Sequence, residues 1–354
     1  MAAIGPPPFD HLIALSDDTG IFQHATFDVP NRAEGYCTDD VARAFIVAVR
    51  ASAHADLRPV AIKLGRTYLS FLHAAQRPNG RFHNFMSFER VWLDDVGSED
   101  CSGRACWALG VGARGAPQES WRRLCARLLH RTLPQIATLA FPRAAAFAAL
   151  GITAASSGRG PHVPALGQAL ERIGSDLVDR LRRVGTADWR WFEDVLTYDN
   201  ARLPEALLRI GMALDDPTFV EAGLEALDFY ESVVVENGMF VPIGNRGWYP
   251  RGGPRARYGQ QPLEAAALVD AALAAHAASG RPRYRRLAEC AYAWYVGGNS
   301  RGAVMVRDGG CCDGLDAEAV NPNMGAESTL SFLASALAMS GFEAQSRPTA
   351  NRTG

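Results

Sequence analysis

Apolar residues recur at helical spacing along most of the chain, and Gly, Pro and polar clusters cut the pattern into eleven segments. They predict helices over 39–54, 57–77, 99–113, 117–138, 142–155, 163–184, 199–213, 216–235, 260–279, 281–297 and 326–341. Strand character is confined to "SVVVENGMFVPI" (232–243) and "GAVMVRD" (302–308), too little for a mixed fold. The chain reads as all-α.

Connections alternate in length. Short ones at 55–56, 114–116, 214–215 and around Gly280 follow the first helix of a pair. Long ones, rich in Gly, Trp and charge, follow the second at 78–98, 185–198, 236–259 and 298–325. Helices after long loops begin near residues 40, 100, 200, 261 and 327, and "FPRAAAFAALGI" (141–152) supplies an acid-free start in the remaining gap. Six starts spaced by roughly 45 to 65 residues describe stacked helical hairpins. First helices such as "VARAFIVAVRASA" are dense in small and apolar residues, as buried helices should be, while second helices such as "ESWRRLCARLLHRTL" are amphipathic. The expected fold is an (α/α)6 toroid over residues 1–341, with 342–354 a C-terminal tail. "GFEAQSRPTANRTG" is too polar for a twelfth helix, so the last outer position should be empty or taken by the N-terminal segment.

In such a ring the inner helices all begin at one mouth, and their starts carry acids: Asp39–Asp40, Glu99–Asp100, Glu193–Asp194, Asp199 and Glu327. Each acid alone could serve the helix dipole, with Thr38, Ser98 and Thr197 as N-caps. Capping needs one carboxylate, not repeated pairs. It also leaves unexplained the company of His24, Tyr36, Arg43, His83, Arg104, Asn200, Arg202 and Gln261. Trp92, Trp189, Trp191 and Trp248 lie in the long loops with Phe82, Phe85, Phe192 and Tyr249. Polar side chains for hydroxyls and flat faces for ring C–H groups suit a sugar. A pair of carboxyl groups suits cleavage of a glycosidic bond.

Composition narrows the field. A net charge of −2 gives no reason to expect nucleic acid or an anionic membrane as partner, and no apolar run is long enough to span one. The N-terminus shows no secretory pattern, so the expected compartment is the cytoplasm. Lys63 is the only lysine, and there is no GxxxxGK[ST] loop, which removes P-loop chemistry. A Schiff base would have to use that one helical residue. Seven cysteines without CxxC and eight histidines without HExxH indicate neither a disulfide framework nor a metal, and no cofactor is expected.

The loops "QRPNGRFHNF" and "ADWRWFEDVLTYDNARLP" resemble those of the six-hairpin glycosidase superfamily. "GYCTDDVARA", "VGSEDCSGRACWALG", "WFEDVLTYDNARLPEALL" and "GAESTLSFL" are similar to a bacterial group often labelled glycosyltransferase, a label attributable to members fused to a separate transferase domain. The resemblance implies an (α/α)6 barrel, an acid at its mouth and association with a glycosyltransferase. This chain has no strand–Gly loop–helix unit to hold a sugar nucleotide itself. The expected function is a glycoside hydrolase or phosphorylase acting on small oligosaccharides. The rivals are a sugar 2-epimerase, which uses paired histidines, and a glycan-binding domain without turnover. Asp40 and Asp100 are the expected principal carboxylates, with Asp194 next. His24, Tyr36, Asp39, Arg43, His83, Glu99, Arg104, Glu193, Asp199, Asn200, Arg202, Gln261 and Glu327 should bind hydroxyls, and Trp92, Trp191 and Trp248 should stack on rings.

Overall fold

The computed structural model describes residues 5–156 and 164–346. Eleven long helices match the expected segments: α2 (Thr38–Ala51), α3 (Arg58–Ala75), α4 (Glu99–Gly115), α5 (Glu119–Ile136), α6 (Pro142–Ser156), α7 (Pro164–Val184), α8 (Arg202–Leu214), α9 (Pro217–Val234), α10 (Pro262–Ser279), α11 (Pro282–Ala293) and α12 (Ala326–Ser346). A short α1 (Asp10–Ala14) precedes them. The even-numbered helices touch in sequence and α12 returns to α2, which closes an inner ring. Helices α3, α5, α7, α9 and α11 pack outside their hairpin partners.

Side-chain size explains the two layers. In α10 nearly every residue from Pro262 to Ala275 is buried, so the helix has no solvent face. In α7 burial is confined to a stripe, Leu170, Ile173, Gly174, Leu177, Val178 and Leu181. The ring is tightest between α4 and α6. A Cβ at Gly110 would lie 1.9 Å from the Gly151 carbonyl, and one at Gly103 would lie 2.4 Å from the Ala144 carbonyl.

The twelfth position is filled from the N-terminus. Phe9, Leu12 and Leu15 are buried, α1 packs on α12, and the His11 ring meets the Met324 carbonyl at 2.8 Å. Helix α12 runs past 341 to Ser346, so the first residues of the expected tail are helical; Phe342 packs edge-on against His276. The rest of that tail and residue 163 lie outside the described residues. Helix α11 stops earlier than expected because Asn299 folds back, donating to the carbonyls of Trp294 (2.8 Å) and Ala303 (2.6 Å). Both strand candidates shrink to two-residue pairs, Val235–Glu236 with Met239–Phe240 and Val306–Arg307 with Gly310–Cys311. Other pairs stitch the mouth: Tyr36–Cys37 joins Phe85–Met86, and Val195–Leu196 joins Tyr249–Pro250.

Candidate active site

The inner-helix starts surround a cavity of about 640 Å³. Asp39, Asp40 and Arg43 enter it from α2, Asp100 and Arg104 from α4, Gln261 from beside α10, and Glu327 from α12. The loops add His24, Phe85, Tyr198, Asn245, Arg246 and Asp313. Eight of the expected site residues therefore meet at one place.

Neighbouring Asp39 and Asp40 differ in their commitments. Both oxygens of Asp40 are taken: Arg43 Nη1 donates to Oδ1 at 2.7 Å, and the Cys37 thiol donates to Oδ2 at 3.1 Å. Arg43 Nη2 reaches on to Glu327 at 2.7 Å. Cys37 also caps the helix, accepting from the Asp40 N–H, while Thr38 donates to the His83 carbonyl instead of capping as expected. Asp39 keeps 18% of its side-chain surface open, while its Oδ1 is buried and has no hydrogen-bond partner. The nearest cation, Arg104 Nε, stands 3.6 Å from it. Burial raises the Asp39 carboxyl above the ordinary range; Arg104, Arg43 and Asn84 oppose the rise and Asp100 adds to it. Burial likewise raises Asp40 against the pull of Arg43.

Asp100 accepts a 2.6 Å hydrogen bond from the Tyr198 hydroxyl. Burial, then this bond, raises the phenol. Arg143 on α6 fixes Tyr198 by donating to its carbonyl at 2.6 Å, with the guanidinium 4.9 Å from the ring centre. Asp313, raised chiefly by burial, accepts from the Gly325 N–H at 2.8 Å and feels the nearby His24.

Below the cavity runs a column of alternating charges. Arg104 donates to Asp199 at 2.8 Å, and Arg202 joins Asp199 at 3.4 Å, Glu205 at 2.6 Å and Asp270 at 2.8 Å. Asp199 is held below the ordinary range: burial opposes this, but Arg104, Arg202 and Arg43 outweigh it. Its left-handed backbone (φ 50°) is secured by an N–H bond to the Glu264 carboxyl. Glu264 also accepts from Tyr230 at 2.9 Å and Asn200 at 3.2 Å; burial, helped by Asp199, pushes it up to about 7.

Asp199 and Arg202 are thus ion-pair partners beneath the floor, and the remaining expected residues lie elsewhere. Asp194, the third expected carboxylate, is 77% exposed and paired with Arg251 at 3.4 Å. Glu193 pairs with Arg143 at 2.6 Å. Glu99 accepts the N–H groups of Ala140 (2.8 Å) and Phe141 (2.9 Å), lending a carboxylate to the acid-free start of α6. Tyr36 is buried and bonds Asp17 at 2.6 Å. His83 approaches the Asp94 carbonyl at 2.6 Å and stacks 4.8 Å from Trp92, which packs edge-on against Phe71. Trp191 is buried against Phe192 and Tyr230, and Asn200 is consumed by Thr197 and Glu264. Trp248 stands behind Tyr198, 6.4 Å between ring centres. These aromatics anchor loops, because an indole gains more by burying its large apolar face than by waiting in solvent.

Tyr198, Asn245, Arg246 and Asp313 join the site without having been expected. Tyr198 had a visible signal, sitting inside "LTYDNARLP" beside Asp199. Asn245, Arg246 and Asp313 lie in long loops, where no periodicity says which way a side chain points. Among the described residues, no group of three or more His, Cys, Asp or Glu could hold a metal, and no helix is long and apolar enough to cross a membrane.

No protein-family model matches the sequence, and no curated protein matches it. Solved structures match its shape. The cellobiose 2-epimerase from Bacillus thermoamylovorans B4167 aligns with a TM-score of 0.72 at 10% identity, covering 96% of this chain and 96% of that one. A D-mannose isomerase aligns at 0.72 with 9% identity, over 94% of each chain. The GH76A α-1,6-mannanase from Salegentibacter sp. HEL1_6 aligns at 0.63 with 10% identity, over 94% of this chain and 96% of that one. Identity this low speaks to fold alone: the chain is an (α/α)6 barrel.

Proposed function

We propose that the chain is a carbohydrate-active enzyme whose cavity hydrolyses a glycosidic bond of a small oligosaccharide. The observation that carries this reading is Asp39, a cavity carboxyl raised by burial against the pull of Arg104, Arg43 and Asn84, with Asp100 adding to the rise. A general acid must hold its proton near neutral pH, and desolvation beside a second carboxylate favours that. Asp39 donates its proton to the leaving oxygen as the C–O bond breaks. Asp100, oriented by Tyr198, takes a proton from the water whose oxygen bonds the anomeric carbon. Asp40 is the structural member of the pair, holding Arg43 in place. Gln261, Asn245 and the second oxygen of Glu327 are free to bond hydroxyls.

The test is turnover of manno-, gluco- and galacto-oligosaccharides, with and without phosphate, by wild type, Asp39→Asn and Asp100→Asn. Cleavage by wild type should fall by roughly 10²–10⁴ in each variant. An Asp39→Asn protein that cleaves at the wild-type rate would sink the acid assignment.

A sugar 2-epimerase is the second reading, favoured by His24, a cavity histidine beside Asp313 that could take the proton next to a carbonyl. It stands second because His83, the other expected histidine, is bound up in its loop. Solvent deuterium entering a free monosaccharide, with loss in His24→Ala, would put it first.

A further inference from the structure

The 78–98 loop contains a hairpin whose two faces differ. Met86 pairs with Trp92 across it; Met86 is buried and Trp92 packs on Phe71. Leu93 N–H donates to the Phe85 carbonyl (2.9 Å), and Ser87 N–H donates to the Val91 carbonyl (2.9 Å). Strand alternation then sets Phe85, Leu93 and Val91 together on the outward face. They are 44%, 65% and 58% exposed. The hairpin is firmly held: Asp94 Oδ1 accepts the N–H of Phe85 (2.7 Å) and Asn84 (3.0 Å), and Phe85 pairs with Cys37. An ordered, largely exposed apolar strip therefore faces solvent, and it starts at the cavity, since Phe85 lines it.

Leu93 and Val91 offer neither a hydroxyl partner nor a flat ring face, so the strip beyond Phe85 matches hydrocarbon better than a further sugar. Its continuity with the polar cavity describes a two-part ligand. We propose that the site takes an amphiphilic glycoside, with the sugar in the cavity and a hydrocarbon aglycone along Phe85, Leu93 and Val91. The proposal rests on the cavity being a sugar site. A rigid strip needs little ordering on binding, so its apolar contact can appear as affinity.

The experiment is calorimetric titration of Asp39→Asn protein, which should hold glycosides unturned. The ligands are methyl, butyl and hexyl glycosides of mannose, glucose and galactose, kept below micelle-forming concentrations. Affinity should rise about twofold per methylene, half the full burial effect on a logarithmic scale, or roughly thirtyfold from methyl to hexyl. The slope should collapse in Leu93→Ser with Val91→Ser, both at exposed positions, and shrink in Phe85→Ala. Equal binding of methyl and hexyl glycosides would overturn the proposal and leave the cavity reading standing. A slope untouched by the substitutions would overturn it too, as would affinity that grows with added sugars but not with alkyl length. Failure of every glycoside to bind would remove the cavity reading, and this inference with it.

Discussion

The cavity wall and the charged column beneath it use the same residue types to opposite ends. In the column each carboxylate meets a guanidinium, and Asp199 and Asp270 are held below the ordinary range although burial opposes it. In the wall burial wins, and Asp39, Asp40 and Asp313 are raised. Between Asp39 and Asp199 the difference is in partners, whereas Asp40 is raised although Arg43 bonds it at 2.7 Å. Arg104 gives Asp199 a 2.8 Å hydrogen bond but stays 3.6 Å from Asp39. A buried carboxylate with a close guanidinium stays charged, whereas one with weaker partners is biased toward its neutral form.

Breaking the column should produce the largest effect. Arg202→Met leaves Asp199, Glu205 and Asp270 without their shared cation and should cost about 3–5 kcal/mol in urea unfolding. A loss below about 1 kcal/mol would mean that the column is loosely coupled.

Next in size is a pH effect from Glu264, which accepts the Asp199 N–H beside the column. Its carboxyl is raised from 4.5 to about 7, so the fold binds a proton there that the unfolded chain releases earlier. Stability is therefore fullest below pH 4.5 at this group and is lost as pH rises through 7, by roughly 3 kcal/mol. Glu264→Gln should flatten that part of the pH–stability curve. An unchanged slope would show that another group supplies it.

The smallest effects should come from acids outside the column. Asp39→Asn should change unfolding free energy by less than about 1 kcal/mol, because a neutral amide replaces a carboxyl that burial already biases toward its neutral form. Asp194→Asn should leave the unfolding midpoint where it is, since that pair is exposed. An Asp39→Asn protein as damaged as Arg202→Met would erase the contrast between wall and column.

Much of the fold was legible because it rests on local periodicity. The stripe of α7 and the all-round burial of α10 are visible in "GQALERIGSDLVDRLRRV" and "AAALVDAALAAHAA". The role of α1 was half-legible: the sequence left one outer position open, but not that Phe9, Leu12 and Leu15 would close it. The site was legible as a place and less so as a set of roles. Asp39, Asp40, Asp100 and Glu327 converged, but Glu193, Asp194 and Asp199 did not, Glu99 proved to cap α6 and Trp191 to be core.

Six inner helices of small residues, and the acids at the starts of most of them, were determined by the sequence itself, since each follows from spacing within a short stretch. Only the tertiary structure decided that both oxygens of Asp40 are bonded while Asp39 has Arg104, at 3.6 Å, as its ion-pair partner. Adjacent residues on a helix point about 100° apart, and the groups that claim or spare them come from elsewhere in the ring. Glu327 shares Arg43 with Asp40 from 284 residues beyond that arginine, and Arg104 turns from Asp39 toward Asp199, 95 residues further along.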